Sequence, residues 1–201
     1  MKKVLLIGSG CTATQVSDYS YHKTGWTIVT INHGWLAYPE YDYWVAPTDY
    51  AGKKDPDAGD RFVGWDEYII AQNAYGGEWE CGMGITLAAA YWALHTIKPS
   101  VIGFLGCDMN YTPGKNGETA FYGIGIDVQN NGCPDPFAMA ARYSIKDPIE
   151  KLYTRFADMA ALKNCDVVNF SKIEKTLLPY KKTTPDYLRR TTEDRHGTKL
   201  K

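Results

Sequence analysis

The chain has 201 residues, 44% apolar and 22% charged, with 22 Lys+Arg against 23 Asp+Glu and a net charge of −1. That length suits one domain with room for a lid, and the even charge with a high apolar fraction excludes a disordered chain. No apolar run approaches the roughly 20 residues that span a bilayer.

Lys3–Ile7 reads as the first strand, ending in Gly8-Ser9-Gly10. The opening Met1-Lys2-Lys3 resembles a signal peptide, but the apolar run behind it falls short of the roughly 7–15 residues required. The segment therefore reads as a buried strand of a cytoplasmic protein. Trp26–Ile31 is β-branched and ends at Asn32-His33-Gly34, and Tyr43–Ala46 is a shorter strand candidate. Residues 47–80 show no regular pattern. Met83–Ile97, rich in Ala and Leu, predicts a helix closed by Lys98-Pro99. Val101–Leu105 is a strand ending at Gly106-Cys107-Asp108. Residues 109–146 again lack a pattern, and a loop of this length with such aromatic content predicts a lid. Asp147–Lys163 has apolar residues near a 3.6 period, with Asp147 placed as N-cap and Pro148 at the first helical position. Asp166–Asn169 is a final short strand.

Strands alternating with helices predict an α/β fold: a single domain over 1–179 with a mainly parallel sheet, helices on both faces and a long lid. Residues 180–201 carry seven Lys/Arg against three acids, a +4 tail on a −5 body. The tail reads as a solvated terminus or as an arm for a polyanion such as nucleic acid. The five cysteines, at 11, 81, 107, 133 and 165, show neither CxxC nor zinc spacing, so reduced thiols are expected.

In parallel sheets a ligand sits outside the carboxyl ends of the strands. Gly8-Ser9-Gly10 reads as a shortened phosphate turn or as a tight strand-to-helix turn; the full GxGxxG and the P-loop are both missing. Asn32 is placed to hydrogen-bond a base or ribose, or is a turn residue. His33 beside it is a base candidate or a packed histidine. Asp108 reads as a base or hydroxyl anchor, or as a loop cap holding backbone amides. Asp55-Pro56-Asp57 has the DxD form of a metal clamp but sits in a polar loop and reads as a solvated turn. Cys81-Gly82 opens the Ala-rich helix. Of the 21 Tyr and Trp residues, 13 lie within 19–79, and some of them are expected to line a pocket.

The order strand–Gly8-Ser9-Gly10, strand–Asn32, Cys81-Gly82, VIGFLGCDMNY, DPIEKLYTRFADMAALKN and DVVNFS resembles the bacterial sialyltransferases of glycosyltransferase family 42, over about residues 3–171. The resemblance implies a Rossmann-like domain whose Gly8, Ser9, Gly10 and Asn32 contact the donor nucleotide. Cys81, Gly82 and Gly106 would stand near the donor, with lid tyrosines such as Tyr122. No histidine lies between 96 and 195, so the family's lid base has no counterpart; Arg142 and Tyr143 stand near its place. Glu78 and Glu80 stand where the family has Arg, and they would repel a carboxylate sugar. The reading is a metal-independent glycosyltransferase-like enzyme that takes a nucleotide-sugar donor and needs no cofactor. Asp108 is the expected base, and Tyr122, Arg142 or Tyr143 would steady the leaving phosphate. The acceptor is a hydroxyl of a glycan or of a modified DNA base. The alternatives are a nucleotide-processing hydrolase and a non-catalytic nucleotide-binding module.

Overall fold

The computed structural model describes residues 1–47, 50, 54–76, 84–110, 113–125 and 149–186, with Ile149 as backbone only. Seven parallel strands form one sheet in the order β4-β3-β2-β1-β5-β6-β7. They are β1 (Lys3–Ile7), β2 (Trp26–Ile31), β3 (Tyr43–Val45), β4 (Phe62–Val63), β5 (Val101–Leu105), β6 (Asp166–Asn169) and β7 (Lys181–Lys182). This is the expected α/β, Rossmann-like architecture. Chain order runs outward from β1 in both directions, so the exits of β1 and β5 diverge at the centre of the sheet.

The side-chain period of two divides each central strand between two cores. Val4 and Leu6 of β1, Val29 and Ile31 of β2, and Ile102 and Phe104 of β5 face one core. That side is covered by α2 (Trp65–Ala74), α3 (Ile85–Trp92) and α4 (Ile149–Leu162). Leu5, Ile7, Ile28, Val101 and Leu105 face the other core. It is covered by a 3-10 helix (Cys11–Asp18), by α1 (Gly34–Ala37) and by aromatic side chains including Tyr21, Trp26, Trp44 and Phe170. Helices therefore lie on both faces, long ones on one side and short ones on the other. Each fully buried Leu, Ile or Phe here contributes about 1.5–3 kcal/mol.

The predicted helix 83–97 starts, among the described residues, at Ile85. It ends in a wider π-type turn over Ala93–Ile97, closed by the Lys98 amide donating to Ala93 O at 3.2 Å. Lys98 takes the left-handed conformation at φ 55, and Pro99 stops the helix. The predicted helix 147–163 is found at Ile149–Leu162, while the Asp147 cap and Pro148 lie outside the described residues.

Residues 47–80, read as patternless, contain β4 and the ten-residue helix α2. The cause lies in what faces inward. Tyr68, Ala71 and the polar Gln72 are buried, whereas Ile70 is 62% exposed, so the apolar pattern does not follow the buried face. Glu67 starts the helix by accepting from the Gly64 amide at 3.0 Å. The sheet also extends past Pro179. Tyr180 is buried, and Lys181–Lys182 pair with Val168–Asn169, so the first residues read as tail close the sheet.

Candidate functional site at the carboxyl edge of the sheet

The exits of β1 and β5 are fastened to each other. The Gly8 amide donates to Leu105 O at 2.9 Å, and the Gly10 amide donates to Gly106 O at 2.6 Å. A Cβ on Gly10 would stand 2.5 Å from Asp108 Oδ2. Gly106 has φ +65, and a Cβ there would stand 2.7 Å from Ala13 Cβ. The close approach that these glycines permit is thus taken up by the chain itself.

Asp108 is the node of this junction and is 4% exposed. Its Oδ2 accepts from the Thr12 amide at 3.0 Å. Its Oδ1 accepts from the Thr12 hydroxyl and from Ser171 Oγ, the latter at 2.9 Å. Its backbone carbonyl accepts from Thr176 Oγ1 at 2.6 Å. Thr12 Oγ1 in turn accepts from the Gly106 amide at 3.1 Å. One carboxylate thereby joins the exits of β1, β5 and β6. Its geometry is that of a loop cap, with both oxygens engaged. Neighbouring Cys107 is buried, and burial, then the charge of Asp108, pushes its thiol up to about 12.

The β1–β2 side is built differently. Asn32 has φ 52, a left-handed conformation that Asn tolerates better than most residues. Its backbone is clamped to β3: the Asn32 amide donates to Val45 O at 3.0 Å, and Trp44 Nε1 donates to Asn32 O at 2.7 Å. The side-chain Oδ1 held in this frame is buried and accepts no hydrogen bond among the described residues. Ser9 Oγ donates to Ile31 O at 3.4 Å. Ser9 O accepts from the Phe121 amide at 3.2 Å, which docks the described part of the 109–146 segment on the β1 exit. The Tyr122 ring then lies 4.5 Å from the His33 ring, and the Tyr50 ring lies 5.3 Å from the same imidazole, both edge-on. His33 is 6% exposed and Tyr122 37%.

The structure therefore brings Ser9, Asn32, His33 and Tyr122 to one edge, beside Gly8, Gly10, Gly106 and Asp108. Cys81, Gly82, Arg142 and Tyr143 lie outside the described residues, as do Glu78 and Glu80. Sequence reasoning does not single out Thr12, Ser171 or Thr176, and Tyr50 enters it only as one of the aromatic residues within 19–79. Thr12 and Ser171 are common residue types, separated from Asp108 by 96 and 63 positions, and no local spacing signals them.

The DxD is a turn, as its surroundings in sequence suggested. Asp55 Oδ1 accepts from the Asp57 amide at 3.0 Å, and Oδ2 accepts from the Tyr41 hydroxyl. Burial and the Asp55 bond hold the Tyr41 phenol above its ordinary range. Arg61 lies 4.3 Å over the Tyr41 ring and donates to Asp57 O at 2.8 Å. No group of three or more His, Cys, Asp or Glu capable of holding a metal ion occurs among the described residues. No helix among them is long and apolar enough to cross a membrane.

Comparison with protein-family models, with curated proteins and with solved structures gave no match for this chain.

Proposed function

We propose that this chain binds the nucleoside part of a nucleotide-sugar at the β1–β2 carboxyl edge and acts as a glycosyltransferase-like enzyme toward a hydroxyl acceptor. The observation that carries the reading is Asn32. Its Oδ1 is buried and accepts nothing from the described residues, in a backbone frame fixed by Val45 and Trp44. An acceptor in that state is suited to a ribose hydroxyl or a base amine, because leaving it unsatisfied costs about 1–3 kcal/mol. Ser9 adds a hydroxyl beside it, and Tyr122 offers a ring face that is part-exposed. Location outside the strand ends agrees with where such sheets hold ligands.

In this reading Asn32 and Ser9 hold the nucleoside and Tyr122 covers it. Because the Asp108 carboxylate is engaged on both oxygens, His33, against Tyr122, takes the acceptor proton. Arg142 or Tyr143 steadies the leaving phosphate. A second reading, a nucleotide-binding module without turnover, is favoured by the same engagement of Asp108.

Product analysis of a nucleotide-sugar mixture incubated with glycan and DNA acceptors separates the two. The enzyme reading expects transferred sugar, and a His33→Gln variant that binds nucleotide but turns over about 100-fold more slowly. Binding without any product supports the module, and released free sugar alone supports a hydrolase. His33→Gln at full rate removes the base assignment.

A further inference from the structure

We infer that Asp108 is the fold's own anion at the glycine turn, so that this chain selects ligands whose phosphates lie away from the β1–β5 junction. In nucleotide-binding sheets of this topology, the turn after β1 presents helix N-terminal amides to a ligand phosphate, and glycine lets the phosphate approach. Here the same elements are present and already satisfied. The Thr12 amide, second in the 3-10 helix Cys11–Asp18, donates to Asp108 Oδ2 at 3.0 Å. The space that a Cβ on Gly10 would fill is occupied by that same oxygen, 2.5 Å away. The Gly10 amide is spent on Gly106 O at 2.6 Å. Hydroxyls of Thr12 and Ser171 complete the shell around the carboxylate, which is 4% exposed.

A phosphate aimed at these amides would meet a fixed negative charge away from water, where like charges repel most strongly. A dinucleotide laid with its pyrophosphate across the junction is therefore excluded. A ligand held by its nucleoside end, its phosphates directed elsewhere, is accepted. The inference concerns the same edge as the proposed function but holds whether or not Asn32 takes a nucleoside.

The test uses the full chain, 15N-labelled, titrated with sodium pyrophosphate and with NAD at millimolar concentration. For the wild type, the Thr12 amide resonance is expected to stay in place with both probes. Asp108→Ala vacates the seat and is expected to bind pyrophosphate at least ~10-fold more tightly than wild type, with Thr12 at the centre of the shifts. If Asp108→Ala is unfolded in plain buffer, pyrophosphate is expected to restore cooperative unfolding where chloride of equal ionic strength does not. Saturable movement of the wild-type Thr12 amide would overturn the inference. So would a folded Asp108→Ala that gains no pyrophosphate affinity, or an unfolded one that pyrophosphate leaves unfolded. A wild type that binds no nucleotide at Asn32 defeats the proposed function and leaves these outcomes readable.

Discussion

Ser171 Oγ donates to Asp108 Oδ1 at 2.9 Å, and both groups are buried. A hydrogen bond to a charged acceptor contributes about 1.5–3 kcal/mol, so Ser171→Ala should lower stability by about that amount, read from the urea midpoint at constant m-value. A change below about 0.5 kcal/mol would mean the carboxylate is held by Thr12 alone. Asp108 itself was legible as a residue of interest, since it follows a strand and Gly106. Its two sequence readings, base and loop cap, differ only in what surrounds the carboxylate. That is set by chain segments far away in sequence, and only the fold brings them together. Asn32 was legible for the same reason as Asp108, as a polar residue closing a strand. Its left-handed backbone and its clamping by Trp44 were not, because they depend on the neighbouring strand.

At the scale of elements, β1, β2, β5 and β6 could be read directly. β1, β2 and β5 are buried on both faces and near-continuous in apolar residues, and β6 is marked by Val167-Val168 between polar ends. β4 and β7 have two residues each, too few for any period, and α2 hides a polar residue on its inner face. Glycine in the middle of β5 has its own explanation. The Phe170 ring, just past β6, lies over Gly103, and a Cβ there would stand 2.8 Å from Phe170 Cδ2. The ring also packs edge-on against Trp26 at 5.4 Å and thereby ties β6 to β2 across the second core. Gly103→Ala should therefore cost about 1–3 kcal/mol through overpacking. Adding Phe170→Leu should make the cost of Gly103→Ala smaller, a coupling that a double-mutant cycle measures. Equal costs in both backgrounds would show that the ring is not the obstacle.

For the whole molecule, the body of the domain runs through β7. The Tyr180 ring lies 4.9 Å from Phe104 and 5.9 Å from Tyr153, and its hydroxyl donates to Tyr153 O at 3.0 Å. Truncation after Pro179 should cost about 3–5 kcal/mol, as loss of a buried aromatic does, whereas truncation after Asp186 keeps Tyr180 and β7 and should spare that cost. The second truncation is also the one that isolates the basic arm: DNA affinity should fall with it if the arm binds a polyanion. Alkaline pH gives a further check on the cores. Burial raises the Cys107 and Cys165 thiols from 9.0 to about 12. A group with a raised folded-state value contributes stability that is complete below its unfolded value and lost as pH rises through the folded one. Urea midpoints should hold up to about pH 9 and then fall steadily toward pH 12. A flat profile over that window would mean that these thiols are not shielded from water.

The central claim, a nucleoside held at Asn32, is tested most directly by thermal unfolding of the wild type and of Asn32→Gly against a panel of saturating nucleotides. Glycine keeps the φ 52 backbone and removes only the side chain. A nucleotide present at 100 times its dissociation constant stabilises by about 2.7 kcal/mol, which is several degrees for a domain of this size. The account predicts that shift for at least one nucleotide with the wild type. It also predicts an unliganded Asn32→Gly protein that melts at or above the wild-type temperature, because the unsatisfied acceptor is gone, and that shows little or no shift with that nucleotide. A wild type unmoved by every nucleotide, or a shift that survives intact in Asn32→Gly, would contradict it.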